Sequence, residues 1–108
     1  MAHNPDAQRV HLTQNTVQGL LSFHGDQQLG RDQGHAFNRL VNFLKAADAE
    51  EREFQAQRHP EVVAGVLFII RVPSAIEMLQ TMAKRYEAGL EAEASDQLLS
   101  LADLLERL

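Results

Sequence analysis

The stretch that decides the fold is residues 62–72, which read VVAGVLFIIRV and lie between Pro60 and Pro73. Arg71 is the only polar residue in this run. A helix or strand that is apolar on nearly every side must be covered by other parts of the protein. We therefore expect this segment to form the buried centre of the fold. The predicted core is centred on Val66, Leu67, Ile69 and Ile70.

The composition of this central run fits either a strand or a helix. Six of its eleven residues are β-branched, which favours a strand. A strand needs a partner, however, and no second convincing strand follows it in the sequence. Pro60 suits the first turn of a helix. We predict a short buried helix over residues 61–71, in which Gly65 permits a neighbouring helix to approach closely.

The residues before the central run predict two further helices. Residues 13–23 carry apolar side chains at helical spacing, with Thr13 as N-cap and Gly25 as the stop. A hairpin with strands at 9–13 and 16–23 is the alternative. Residues 25–34 contain three glycines and predict a connector, with a short helical turn starting at Asp26.

A long amphipathic helix is predicted over residues 35–58. Its apolar residues fall on one stripe, and its second half is mostly charged. Asp48 and Arg52 stand four residues apart and are expected to pair. Pro60 ends this helix because a proline disfavours helical geometry at the residue before it.

Two helices are predicted after Pro73. Ser74 and Glu77 match a capping box, and Gly89 followed by Leu90 matches a helix stop. A final helix over residues 95–107 would complete a helical hairpin. The alternative is one helix over 74–108, because residues 91–94 are strong helix formers.

These elements predict an all-α fold, a small single-domain bundle of four to five helices with a buried central helix. A chain of 108 residues is expected to form one domain. We place that domain at residues 13–108, with a flexible N-terminal arm at 1–12.

Composition and charge exclude several classes of function. The chain has no cysteine, so disulfides and thiolate metal sites are excluded. Its net charge is −5, and residues 60–108 hold eight acidic and four basic side chains, so we do not expect it to bind nucleic acid. No signal peptide is evident, and the central run is too short to span a bilayer. We predict a cytoplasmic protein that does not enter a membrane.

No constellation of side chains predicts chemistry. His24 and His35, with Asp26 and Asp32, are the only plausible metal cluster, but none of the histidine pairs has the spacing of a helical metal motif. Ser22, His24 and Asp26 contain the residue types of a catalytic triad, but a triad is defined by converging geometry rather than adjacency. We predict no catalytic residues, no metal and no cofactor.

The predicted last helix is the strongest functional lead. Its apolar side chains cover an arc of roughly 220°, whereas a helix packed on one side needs little more than about 100°. We therefore predict a protein interface there. Its residues are Leu98, Leu99, Leu101, Leu104, Leu105 and Leu108.

The sequence thus favours a non-enzymatic protein-binding or regulatory module (an adaptor, inhibitor or chaperone-like protein) that acts through helical apolar surfaces. We expect a protein partner and a homo-oligomer, most simply a homodimer. The alternative is a helix-turn-helix DNA-binding transcriptional regulator, built from helix 61–71 and helix 74–88.

Overall fold

The structure is a computed structural model and describes residues 9–89 and 98–100. Within these ranges five helices form a bundle, and two short strands pair beside it. The predicted all-α bundle is confirmed. The elements are β1 (Arg9–His11), α1 (Gln14–Phe23), α2 (His35–Ala46), α3 (Ala49–Ala56), α4 (Pro60–Arg71), α5 (Ala75–Glu87) and β2 (Leu98–Ser100).

Helix α4 lies at the centre of the bundle, as predicted. It contacts α1, α2, α3, α5 and both strands, and residues 63–68 are buried without interruption. The predicted core is wrong at its end, because Ile70 is 44% exposed. Ile70 shares a helix face with Val63, Val66 and Leu67. It lies one turn further along, where the buried core has ended.

Gly65 sets the distance between α4 and α1. A Cβ atom at this position would lie 2.5 Å from Leu20 Cδ1, closer than real Cβ atoms approach a neighbour. The prediction that Gly65 permits a close helix approach is therefore confirmed.

Helix α1 is held at its start by a side chain from α4. The Thr13 backbone N–H and hydroxyl both donate to Glu61 Oε2, at 2.7 and 2.6 Å. A carboxylate at a helix N-terminus also interacts favourably with the helix dipole. At the other end Gly25 has φ 91°, the backbone geometry of a glycine stop. The helical interpretation of residues 13–23 is therefore confirmed over the hairpin.

The predicted single helix over residues 35–58 is wrong, because the chain breaks between α2 and α3. Ala47 is extended, with ψ 155°, and the Asp48 carboxylate accepts a hydrogen bond of 2.8 Å from the Glu51 backbone N–H. Asp48 thus caps α3. Aspartate is more favourable at this capping position than inside a helix, because its short side chain can accept a hydrogen bond from a backbone N–H group. The predicted Asp48–Arg52 pair does not form. Arg52 instead donates to the carbonyl oxygens of Leu44 and Lys45 at the end of α2.

The predicted capping box at the start of α5 does not form. Ser74 has φ −96° and ψ 15°, whereas a capping residue is normally extended, and its side chain caps no backbone N–H. A tight turn precedes α5 instead. In this turn the Ala75 N–H donates to the Val72 carbonyl oxygen at 3.0 Å. Helix α5 ends at Glu87, and Gly89 has φ 75°. The stop at Gly89 is confirmed, and the single helix over 74–108 is wrong.

The predicted last helix over residues 95–107 is wrong at residues 98–100, which form β2. This strand runs antiparallel to β1, with Val10 opposite Leu99. The rest of the predicted helix lies outside the described residues. In the predicted N-terminal arm, Arg9–His11 form β1 and Leu12 is completely buried. The local sequence of either segment does not predict this pairing, because the two segments lie far apart in the chain.

We predict that Leu67→Asp and Ile70→Asp have very different effects on stability. Leu67 is fully buried, so a carboxylate there would be unpaired in the core and should cost about 4 kcal/mol or more of the free energy of unfolding. Ile70 is half exposed on the same helix face and serves as the matched control, with an expected loss of under about 1.5 kcal/mol. Urea unfolding followed by circular dichroism measures both. Equal losses would contradict the position of the core given above.

Candidate functional site

The first candidate site is an apolar groove of about 400 Å³ between α2 and α3, which we call the α2–α3 groove. One wall is a row of side chains spaced one turn apart along α2, and the other includes Gln55 of α3. Val41 and Leu44 of α2 are buried in the core, and Leu40 both lines the groove and packs against that core. The residues that line the groove are Ala36, Arg39, Leu40, Phe43 and Gln55.

Phe43 is the largest apolar side chain in this groove and is 42% exposed. Phe54 on α3 is more exposed, at 58%, but does not line the groove. The charge in the groove comes from Arg39, which is exposed and has no hydrogen-bond or ion-pair partner among the described residues. The α2–α3 groove therefore combines an apolar wall with one available cation.

The second candidate site is a cleft of about 540 Å³ between the α1–α2 connector and α5, which we call the connector cleft. Its apolar lining comes from Leu21, Leu29 and Ile76. Its polar lining includes Gln80 and Lys84, which follow Ile76 at intervals of four residues and so share its side of α5.

Asp26 joins the two sides of the connector cleft. Its Oδ1 atom accepts hydrogen bonds from the backbone N–H groups of Gln28 and Leu29, at 3.0 and 2.9 Å. Its Oδ2 atom accepts from Gln80 Nε2 at 3.1 Å. The bond from Leu29, followed by the bond from Gln80, lowers the pKa of the Asp26 carboxyl below its usual value. Asp26 therefore stays ionised and ties the connector to α5.

His24 forms the edge of the same cleft. Its Nδ1 atom lies 2.8 Å from the Leu20 carbonyl oxygen, and its Nε2 atom lies 3.2 Å from Lys45 Nζ. A carbonyl oxygen only accepts hydrogen bonds, so Nδ1 carries the proton and Nε2 accepts from the ammonium group. This arrangement holds Lys45 close to the cleft.

The sequence-level clusters do not assemble into one site. Ser22, His24 and Asp26 make no hydrogen bonds to one another within the described part of the chain, because His24 and Asp26 are engaged by the partners given above. Asp32 accepts bonds from the Gly34 N–H and Asn38 Nδ2, and the first of these chiefly lowers its pKa. Across residues 9–89 and 98–100, no three His, Asp or Glu side chains are grouped in a way that could hold a metal ion.

The predicted leucine interface lies largely outside the described residues. Leu98 and Leu99 are in β2, whereas Leu101, Leu104, Leu105 and Leu108 are outside the described ranges. The sequence does not predict the α2–α3 groove, because Leu40 packs against the core and also lines the groove with Ala36 and Phe43. The connector cleft depends on the contact between Asp26 and Gln80, which no local pattern predicts.

Comparison of the chain with protein-family models, with curated proteins and with solved structures found no match in any of the three. None of the helices in the described ranges combines the length and the hydropathy needed to cross a membrane. The case for a function therefore depends on the chain's own side chains.

We predict that Gly30→Ala destabilises the protein more than Gly65→Ala. A Cβ atom at position 30 would meet main-chain atoms, the Ser22 N at 2.5 Å and the Asp26 carbonyl oxygen, which no rotamer change relieves. At position 65 the obstacle is a Leu20 methyl group, and alanine recovers about 1 kcal/mol of helix propensity. We expect losses of about 3 and about 1 kcal/mol, measured by thermal and urea unfolding.

A larger loss of stability in Gly65→Ala than in Gly30→Ala would show that the connector is not held against α1 by its main chain. The walls of the connector cleft would then not be fixed in the way described above.

Proposed function

We propose that this protein is a non-enzymatic protein-binding module that holds a segment of a partner in the α2–α3 groove. The observation that carries the proposal is the exposure of Phe43, at 42%, on an open and mostly apolar surface. Exposed apolar side chains grouped beside polar ones are a feature of surfaces that bind protein partners. An adaptor, an inhibitor or a chaperone-like protein would each use such a surface.

The geometry of the groove favours a helical partner segment. Ala36, Leu40 and Phe43 form a ridge along one helix, and an amphipathic helix packs its own apolar residues, three and four positions apart, against such a ridge. Arg39 lies in the same row and is available to a carboxylate. We therefore propose an amphipathic helix with an acidic residue beside its apolar face.

This proposal keeps the predicted kind of function but moves its place. The sequence analysis placed the interface on the last leucines, whereas the groove lies on α2 and α3. A homodimer is the simplest form of the proposal, because a second copy of this chain is always present at equal concentration. A cytoplasmic, regulatory role is proposed on the same basis as in the sequence analysis.

The alternative, a helix-turn-helix DNA-binding regulator, has less support. Helices α4 and α5 are joined by the three residues 72–74, which suits the motif. Gln80, however, donates to Asp26 and is not available to read a base. Glu77 is exposed on α5, where a phosphate backbone would repel it.

We expect Phe43→Ser to weaken partner binding at least tenfold, because a truncated aromatic anchor usually costs more than about 1.4 kcal/mol. The control is Phe54→Ser, which removes a more exposed phenylalanine that is not part of the groove and should change affinity less than about twofold. Light scattering first establishes whether the wild type is a dimer. If it is a monomer, its partner is isolated from the native cell, purified and measured by calorimetry.

An equal loss of partner or dimer affinity in Phe43→Ser and Phe54→Ser would contradict the proposed site. So would binding that Phe43→Ser leaves unchanged. A third variant, Arg39→Glu, tests the acidic residue on the partner and should weaken binding in the same assay. Circular dichroism checks that each variant keeps its helices.

A further inference from the structure

The connector cleft has a volume sufficient to hold a small molecule. Its volume of about 540 Å³ falls within the usual range of ligand pockets, roughly 300 to 1,000 Å³. Leu21, Leu29 and Ile76 provide an apolar surface, and polar side chains of the connector and α5 surround it. Apolar side chains that can hold a ligand's body therefore lie beside polar groups that can orient it.

The walls of the cleft are fixed before any ligand binds. Asp26 ties the connector to Gln80 of α5, across 54 residues of sequence. The Arg31 backbone N–H donates to the Gln18 carbonyl oxygen at 3.0 Å, and Gly30 packs directly against the main chain of Ser22. A site that is already formed loses less conformational entropy when it binds its ligand.

The cleft carries one lysine and one ionised aspartate, and the lysine is the one whose charged group is free to bind a ligand. Lys84 lines it, is exposed, and has no ion-pair or hydrogen-bond partner for its ammonium group within the described residues. Asp26 also lines the cleft and stays ionised, but its carboxylate already accepts three hydrogen bonds, from the Gln28 and Leu29 N–H groups and from Gln80 Nε2. Lys45 does not line the cleft, but its Nζ atom lies 3.2 Å from Nε2 of His24, which does. The charged group in the lining whose hydrogen-bond donors are free for a ligand is therefore the Lys84 ammonium, and its natural partner is an anion.

We propose that the connector cleft binds a small carboxylate with an apolar body, such as a short aliphatic acid. The carboxylate would pair with the Lys84 ammonium group, and the apolar body would lie on Leu21, Leu29 and Ile76. Gln80 keeps its carbonyl oxygen free for a further polar group, since its amide nitrogen donates to Asp26. This site is separate from the α2–α3 groove, so the inference does not depend on the proposed function.

The test is a titration of the whole chain with hexanoate, followed by two-dimensional NMR of the backbone amides. We expect saturable shifts of Leu21, Leu29, Ile76 and Gln80, with a dissociation constant of about 1 mM for a probe of this size. Hexan-1-ol has the same apolar body without the charge and should bind at least tenfold more weakly. Lys84→Met keeps the length of the side chain and removes its charge, and should weaken hexanoate binding by at least tenfold.

Arg39→Met is the control, because it removes a cation from the α2–α3 groove and should leave hexanoate affinity unchanged. The amide spectra also show whether each variant is folded. Equal affinity for hexanoate and hexan-1-ol would overturn the inference, as would unchanged binding by Lys84→Met. The absence of saturable shifts up to about 10 mM hexanoate would overturn it too.

Discussion

The burial of α4 is the constraint on which the rest of the structure depends. A helix whose residues 63–68 are all removed from water needs protein on every side, and α1, α2, α3 and α5 all contact it. The burial of apolar surface is the main favourable term in folding, so these contacts fix where the other helices lie. Gly65 lets α1 pack close to α4. A side chain at position 65 would meet Leu20 of α1.

Both candidate sites arise from the way in which the other elements cover α4. Helix α2 buries Val41 and Leu44, which leaves its second apolar row, including Phe43, exposed beside α3. The connector between α1 and α2 is held against α1 at Gly30 and against α5 by Asp26, and a cleft is left between these two attachments. One site presents an apolar row with Arg39, and the other an apolar floor with Lys84. We propose a protein segment as the ligand of the first site and a small anion as the ligand of the second.

Local sequence patterns were sufficient to predict the central helix, its extent and the glycine stops at Gly25 and Gly89. Each of these depends on residues close together in the chain. The patterns failed where a distant or competing contact decided the outcome. Asp48 could lie inside a helix or cap one, and in the structure its carboxylate caps α3. The pairing of Val10 with Leu99, and of Asp26 with Gln80, joins segments far apart in sequence, so neither β2 nor the connector cleft could be predicted.

The central claim is that α4 is the buried core around which the other helices fold. Native-state hydrogen exchange tests it most directly, because amides in the most stable part of a protein exchange only when the whole molecule unfolds. The account predicts that the amides of residues 63–68 exchange slowest, with an opening free energy equal to that of global unfolding. Amides of α4 that exchange faster than those of α2 or α5 would contradict it.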